Sequence, residues 1–217
     1  MATPYFQLRL ESVASTQDVA RERFTDLPLL VVAASQTQGR GRSGVEWVNA
    51  DRSLAVSLVF GHRLDDTRPY SLMAGVAVID STTGTGLKWP NDVMSGGRKV
   101  GGILVESNET TTVIGLGLNL WWPDAPEGAG ALFEEDPGPT CHLEMGALWG
   151  AEMIELVERD GWPMERYASS CVTLGQRITW EPAGSGVAVD VAADGALIVE
   201  TDSGRELIYS GAVRHVR

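Results

Sequence analysis

The sequence contains very little lysine. Of its 17 basic residues, 15 are arginines, and Lys88 and Lys99 are the only two lysines. The codon bias of a genome rich in G and C replaces lysine by arginine at surface positions. That two lysines remain suggests that arginine cannot replace them at these positions. A compact ammonium fits a tight anion site in a way that a planar guanidinium does not. The two lysines are therefore the first candidates for functional residues.

Cysteine and long apolar runs are also scarce. Cys141 and Cys171 are too few for a disulfide framework, which favours a reducing compartment. No apolar run approaches the roughly 20 residues that a membrane-spanning helix needs. Residues 1–10 lack the apolar segment of a signal peptide. From these absences we expect a soluble, cytoplasmic protein without a membrane partner.

Positive charge is in deficit, because 29 acidic residues outweigh 17 basic ones and give a net charge of -12. Proteins that bind nucleic acid through its phosphates usually need a basic face, so we predict no nucleic-acid partner. The chain has 217 residues, of which 43% are hydrophobic. This length and composition indicate one or two globular domains with a substantial core.

Helical and strand patterns alternate along the first part of the chain. Helices are expected at 17–24, 67–80, 141–160 and 163–171, and strands at 5–11, 29–34, 54–60, 87–89, 99–106 and 112–120. Since hairpins join most of these strands, the predicted class is α+β, with a mixed, mostly antiparallel sheet and packed helices. From Leu174 onward only short strands follow, which predicts a small C-terminal β-barrel. We expect domains at 1–171 and 172–217.

A glycine-rich segment, residues 36–44 (QTQGRGRSG), lies between two predicted strands. It matches the dinucleotide fingerprint G-x-G-x-x-G, but that fingerprint requires a helix directly after it, whereas 54–60 has a strand pattern. A better interpretation is a flexible loop that closes over an anion. Its glycines allow close backbone approach, and Arg40 and Arg42 supply charge. A solvated surface loop with incidental arginines is about equally compatible with this segment alone.

Three later segments could also carry chemistry. Residues 88–92 (KWPND) place a lysine before a proline turn with two polar side chains, and lysine for phosphate with aspartate for Mg²⁺ suits nucleotide chemistry. Residues 98–106 (RKVGGILVE) place Lys99 at the head of a buried strand. Residues 115–120 (GLGLNL) alternate glycine along a strand, which leaves one face open to a flat ligand. Taken singly, each is also compatible with an ordinary turn or core strand.

In this order, the GRGRSG, KWPND, RKVGGILVE and GLGLN segments resemble the biotin protein ligase family, over a region from about Ser12 to the C-terminus. Residues 15–17 (STQ) are similar to its biotin-contacting Ser-Thr-Asn, and residues 174–217 to its small SH3-like domain. The resemblance implies a biotin ligase catalytic fold, like that of class II synthetases. It implies activation of biotin with ATP and Mg²⁺ to biotinoyl-AMP. Biotin then passes to a lysine of the biotin carboxyl carrier domain of an acetyl-CoA or acyl-CoA carboxylase.

The resemblance also implies site residues. Those for biotin are Ser15, Thr16, Gln17, Gln36, Arg40, Gly41, Arg42, Lys99 and Gly102. Those for ATP are Gly39, Arg40, Trp47, Lys88, Asn91, Lys99 and Asn119, with Asp92 as the Mg²⁺ ligand. Lys99 and Arg42 would be the catalytic residues, because their charges would offset repulsion between a carboxylate and the α-phosphate.

Several alternatives stay open. A lipoate or octanoate ligase shares this fold and chemistry, although residues 88–92 and Ser15-Thr16 favour biotin. A non-catalytic biotin or nucleotide sensor would bind without reacting.

Many relatives carry an N-terminal winged helix. Only about 14 residues precede the Ser15-Thr16 pair here, so we expect the monofunctional type, without DNA binding. An exposed sheet edge could pair with a second copy, giving a homodimer, or with the carrier. Gln17 replaces the usual asparagine, and Val45-Glu46 makes the loop less basic than is common in the family.

Overall fold

A computed structural model describes residues 3–62, 66–209, 211 and 213–216. Over these residues the chain forms two β-sheets and four α-helices. The larger sheet contains β1 (Phe6–Val13), β2 (Leu29–Gln36), β3 (Arg52–Gly61), β4 (Thr85–Lys88), β5 (Asp92–Ser95), β6 (Arg98–Ser107) and β7 (Thr111–Trp121). The helices are α1 (Thr16–Arg23), α2 (Tyr70–Ser81), α3 (Cys141–Glu158) and α4 (Met164–Ser170).

The seven strands of this sheet follow the order β1-β2-β3-β7-β6-β5-β4. β1 and β2 pair in parallel, with α1 as the crossover between them, and the other pairs are antiparallel. The predicted α+β class with a mixed, mostly antiparallel sheet is therefore confirmed. The predicted hairpin is also present as β6 and β7, and its register sets Gly102 opposite Gly117.

The first helix begins where the sequence carries a capping signal. Ser15 is the N-cap residue, and its hydroxyl accepts a bond from the backbone N–H of Asp18 at 3.4 Å. Asp18 in the first turn and Arg21 in the last turn complement the helix dipole. The buried face of α1 includes Thr16 and Gln17, so the start of the helix brings a run of polar side chains against the sheet.

The main core lies between the sheet and the two longer helices. Side chains of the central strands, such as Leu30 and Leu54, pack with Met73 of α2. The third helix approaches the sheet closely because Gly150 lacks a side chain: a Cβ there would lie 2.4 Å from a methyl carbon of Leu30. On the other face of the sheet, Ala20 of α1 packs in a second, smaller core with Val31 and Val113.

A second, smaller sheet follows and is entirely antiparallel. It contains β8 (Arg177–Trp180), β9 (Gly184–Val191), β10 (Leu197–Thr201), β11 (Gly204–Ile208) and β12 (Arg214–His215), in the order β11-β10-β9-β8-β12. Trp89 joins the two sheets, because its indole N–H donates to the carbonyl of Gly195 at 3.0 Å. The small C-terminal β-structure is thus confirmed, while the domain limits 1–171 and 172–217 stay a prediction.

Three local expectations were incomplete. Residues 92–95 form β5, a strand that was not predicted, and Gly96 and Gly97, both at positive φ, make the tight turn from it into β6. β12, of two residues, was not predicted. α2 begins at Tyr70, three residues after the expected start at 67. Within the described ranges, no helix is long and apolar enough to cross a membrane.

Candidate active site

A single cavity of about 770 Å³ collects most of the residues singled out in the sequence. Its walls are the start of α1, the glycine-rich loop, the 88–92 turn and the exposed face of β6 and β7. The predicted site residues that line it are Ser15, Thr16, Gln17, Gln36, Arg40, Gly41, Arg42, Trp47, Lys88, Asn91, Asp92, Lys99 and Gly102. The other two, Gly39 and Asn119, lie outside the lining.

At the α1 end of the cavity, a chain of polar bonds fixes three side chains. The backbone N–H and the hydroxyl of Thr16 both donate to Oε1 of Gln36, at 2.7 and 3.0 Å. The Thr16 hydroxyl also contacts the Ser57 hydroxyl at 2.8 Å. Because Oε1 of Gln36 already accepts two bonds, its amide nitrogen is the group that remains to donate to a ligand.

Near Gln36, the side chain of Gln17 offers a hydrogen-bond acceptor to the cavity. Its Nε2 donates to the carbonyl of Leu104 at 2.8 Å, and its side chain lies over Gly115, where a Cβ would stand 2.4 Å from Nε2. Its Oε1 is buried without a hydrogen-bond partner in the part of the chain that the structure describes. A buried acceptor of this kind is costly unless a ligand donates to it.

The guanidinium of Arg40 is held by protein groups. It makes paired bonds to Asp18, at 2.9 and 2.6 Å, and to Glu106, at 3.2 and 3.1 Å. It also donates to the Ser15 hydroxyl at 3.2 Å. The hydrogen bond from Arg40 lowers the pKa of Asp18, and the hydrogen bonds to Asp18 and Glu106 raise the pKa of Arg40. The lowered pKa of Asp18 favours its ionised form as the partner of the guanidinium.

Trp47 covers the open face of the β6–β7 hairpin. A Cβ at Gly117 would lie 2.8 Å from carbons of the indole ring, and one at Gly102 would lie 3.3 Å from it. The glycines were expected to leave room for a flat ligand, and the indole lies in part of that room. Its N–H is buried with no partner among the described residues, so it is available to a bound molecule.

The lysines and Arg42 lie at the other end of the cavity. Lys99 Nζ is 2.5 Å from Asp92 Oδ1, and Arg42 donates to Asn91 Oδ1 at 3.3 Å. Lys88 stands opposite Asp92 in the β4–β5 register. The 88–92 turn thus supplies an amide oxygen and a carboxylate oxygen that contact two of these cations.

The C-terminal segment also reaches this end, which the sequence patterns did not indicate. Gly211, Val213 and Arg214 line the cavity. Burial, followed by the charge of Lys88, lowers the pKa of His215, which places β12 beside that lysine. No motif marks this segment, and only the docking of the second sheet brings it to a site more than 100 positions earlier in the chain.

Asn119 has a different setting from the one expected. The side-chain Nδ2 of Asn119 donates to the carbonyl of Gly130 at 2.9 Å. The backbone carbonyl of Asn119 accepts from the backbone N–H of Leu132 at 3.0 Å. It therefore fastens the segment after β7 against that strand. Its Oδ1 is buried without a partner in the described chain.

A Mg²⁺ site was predicted at Asp92. Over the ranges that the structure describes, no three histidine, cysteine, aspartate or glutamate side chains form a group that could hold a metal ion. Magnesium is commonly held by one or two carboxylates, with water and substrate phosphates completing its shell. Asp92, beside two lysines, fits that mode and does not fit a site built from protein ligands alone.

The fold and the cavity define the class of protein, and comparison with known families agrees. Residues 10–119 match the model of the biotin/lipoate A/B protein ligase family, and residues 173–216 match the biotin protein ligase C-terminal domain. The chain belongs to this family. The expected biotin protein ligase resemblance is confirmed.

Particular relatives support the biotin branch. The chain is 31% identical to a biotin–[acetyl-CoA-carboxylase] ligase of Mycobacterium tuberculosis, over 87% of this chain and 79% of that protein. It is also similar to the biotin protein ligase from Aquifex aeolicus solved with biotin and ATP, with a TM-score of 0.83, 25% identity, and coverage of 97% and 99% of the two chains. A ligase from Leishmania major solved with biotinyl-5-AMP shares the fold at a TM-score of 0.63 and 22% identity, over 95% of this chain and 100% of that chain.

Proposed function

We propose that this protein is an ATP-dependent ligase that activates biotin to biotinoyl-5′-AMP and transfers biotin to a lysine of a biotin carboxyl carrier domain. One observation carries the proposal. A single cavity joins a neutral polar cluster at the start of α1 to a group of cations that includes Lys88, Lys99 and Arg42. The first suits the ring of biotin, and the second suits a carboxylate beside a triphosphate.

The polar cluster favours biotin over lipoate. A ureido ring offers one carbonyl acceptor and two N–H donors. The cluster offers the amide nitrogen of Gln36 and the hydroxyl of Ser15 as donors, and the unpartnered Oε1 of Gln17 as an acceptor. The disulfide ring of lipoate has no such groups and would leave the buried Oε1 of Gln17 unpaired, which costs about 1–3 kcal/mol.

The cationic end supplies the chemistry of adenylation. An oxygen of the biotin carboxylate attacks the α-phosphorus of ATP, the bond to the bridging oxygen breaks, and pyrophosphate leaves. Two unit charges of the same sign at 4 Å repel by about 4 kcal/mol at an effective dielectric of 20. Lys99 and Arg42 would offset this repulsion and stabilise charge that develops on the phosphate. The acceptor lysine then attacks the acyl carbon, and AMP leaves.

Other residues would organise the nucleotide. Lys88 would contact the phosphates and Trp47 would pack on adenine, with Gly41 and Gly102 allowing close approach. Gly39 would act through Trp47, because a Cβ at Gly39 would lie 3.1 Å from the Trp47 side chain. Asn91 would orient Arg42 and the phosphates, while Asn119 would act through the segment it fastens. Asp92 would be the carboxylate ligand of Mg²⁺, which would supply further positive charge to the phosphates. The structure adds Arg214 to this end.

The carrier domain of an acetyl-CoA or acyl-CoA carboxylase is the proposed protein partner. The exposed edge of β1, whose residue Phe6 is 57% exposed, could pair with that carrier or with a second copy in a homodimer. The absence of a nucleic-acid partner stays a prediction that rests on the net charge of -12.

Two measurements test this function. Titration calorimetry should show binding of biotin and no binding of lipoate; tight binding of lipoate alone would replace the proposal with a lipoate ligase. Release of pyrophosphate from ATP should require biotin. Biotin binding without pyrophosphate release would instead identify a non-catalytic sensor.

A further inference from the structure

Arg40 has no N–H left for a ligand. A guanidinium carries five N–H groups. In this structure Nε donates to Glu106, Nη1 to Ser15 and Asp18, and Nη2 to Asp18 and Glu106, at distances from 2.6 to 3.2 Å. Both carboxylates accept in the paired geometry that makes such contacts strong. Arg40 therefore differs from Arg42, which among the described residues makes one side-chain hydrogen bond, to Asn91 at 3.3 Å.

These contacts join three separate elements. Asp18 belongs to α1, Glu106 to β6, and Arg40 to the glycine-rich loop. Just beyond Arg40 the backbone bonds become local: Gly41 N donates to Val45 O at 2.7 Å, and Val45 N donates to Arg42 O at 3.2 Å. The base of the loop is thus fixed to the α1 end of the cavity, and the part that can move over a ligand starts at Gly41.

The contact with Ser15 also determines the polarity of that hydroxyl. Ser15 is 3% exposed and lines the cavity. Its oxygen accepts from Arg40 at 3.2 Å and, more weakly, from Asp18 N at 3.4 Å. With both lone pairs occupied, its hydrogen is the part that remains for a bound molecule.

We propose that Arg40 is a positioning residue that holds Ser15 as a hydrogen-bond donor to the ring carbonyl of the acid substrate, and that it does not contact the reacting phosphate. This inference rests on the proposed function, since the ring carbonyl is that of biotin. It assigns different roles to the two loop arginines. Arg40 acts on binding through Ser15, whereas Arg42 acts on the reacting groups.

The test separates binding from chemistry. Arg40→Gln removes the paired bonds and should raise KM for biotin about tenfold or more, with kcat and KM for ATP changed by less than about threefold, as expected for loss of uniform binding. Arg40→Lys, which keeps the charge but not the fork, should restore little of the affinity. The matched control is Arg52→Gln, which breaks a similar paired contact with Asp136 on the surface, and it should leave kcat and both KM values unchanged.

A double-mutant cycle with Ser15→Ala tests the proposed route. If Arg40 acts through Ser15, the double variant should bind biotin about as weakly as the weaker single variant. Additive losses would contradict the inference, as would a fall in kcat of a hundredfold or more in Arg40→Gln with KM for biotin unchanged. If thermal melting shows that Arg40→Gln does not fold, Asp18→Asn weakens the same contact and carries the same expectations. Wild-type protein that neither binds biotin nor releases pyrophosphate would refute the proposed function itself.

Discussion

Lys99 and Asp92 form the contact on which the proposed chemistry depends. Their 2.5 Å ion pair holds the Lys99 ammonium at the wall of the cavity. The Lys99 side chain is 43% exposed and that of Asp92 is 23% exposed, so solvent screens the pair and a ligand can displace it at small cost. When a carboxylate and phosphates arrive, the lysine can turn to them and Asp92 becomes available to a cation.

A second ionic contact at the residue scale is structural. Arg68 donates to Asp66 and to the carbonyls of Val157 and Arg159, at 3.0 and 2.7 Å, and so caps the end of α3. The hydrogen bond from Arg68 holds the pKa of Asp66 far below its usual value. Both side chains are mostly buried, at 14% and 8% exposure, so the pair is weakly screened.

We predict that Arg68→Ala lowers the free energy of unfolding by about 3 kcal/mol at pH 7, because it leaves a buried carboxylate unpaired. Since the folded pKa of Asp66 is depressed, its contribution is fully present above the unfolded pKa of about 3.9 and is lost as pH falls below it. Urea unfolding from pH 7 to pH 2 should therefore show a steeper acid loss in the wild type than in Arg68→Ala. Equal slopes would mean that Asp66 is not paired in solution.

At the scale of elements, the glycine-rich loop is a hinged segment between two fixed points. Ser43 and Gly44 adopt positive φ, and Trp47 N bonds back to Gly39 O at 2.9 Å. Ser43, Gly44 and Val45 at its tip are exposed, and Glu46 pairs with Arg40 in a β-bridge at its base. A loop held at its base and free at its tip suits a cover over an intermediate that water would destroy.

Removing the loop's ligand-facing charge should let the adenylate escape. Arg42→Gly is expected to increase release of biotinoyl-AMP, seen as labelling of lysines on a bystander protein such as serum albumin. The control is Arg9→Gly, an exposed side chain on β1 whose one bond is to Gln7. Bystander labelling no higher in Arg42→Gly than in the wild type would count against a sealing loop.

The β6–β7 hairpin accommodates the indole of Trp47 because Gly102 and Gly117 have no side chains. Gly117→Ala would set a Cβ 2.8 Å from the indole and push the ring from its place. We expect KM for ATP to rise by about tenfold, with KM for biotin much less affected. Gly61→Ala on β3 is the matched control, because in the described chain no atom beyond its two sequence neighbours lies within 4 Å of the added Cβ. An unchanged KM for ATP in Gly117→Ala would show that Trp47 does not contact the nucleotide.

At the scale of the whole molecule, the second sheet completes the nucleotide end of the cavity. Trp89 bonds to Gly195 of the C-terminal part, and Arg214 on β12 adds a cation to the lining of the cavity that also contains Lys88. The C-terminal part thus has a role in the site besides its own small core.

Arg214→Ala should raise KM for ATP about tenfold, equivalent to about 1.4 kcal/mol, and leave KM for biotin unchanged. Arg205→Ala on β11 removes an arginine whose exposed partner, Glu200, lies on the neighbouring strand β10, and it provides the control. The effect of Arg214→Ala should shrink at high salt, because a charge at the mouth of the cavity is screened. Equal KM values for ATP in the two variants would remove Arg214 from the site.

Local sequence patterns predicted most of the helices and strands, because capping at Ser15 and apolar periodicity are short-range signals. β12 and the role of Arg214 were missed because two residues carry no period and because docking of the second sheet is a long-range event. The roles assigned to Arg40 and Arg42 could not be separated by sequence: both follow a glycine in one loop. What distinguishes them is the approach of Asp18 and Glu106, which tertiary packing alone decides.

The central claim is that Lys99 stabilises the adenylation of biotin. Its most direct test is single-turnover formation of biotinoyl-AMP from biotin and ATP, compared between the wild type and Lys99→Ala, with melting curves as the check on folding. Removing one preorganised charge at a reacting group typically costs about 10²–10³ in rate, so we predict a loss of that size with the melting temperature preserved. Formation of biotinoyl-AMP by Lys99→Ala at the wild-type rate would contradict the account.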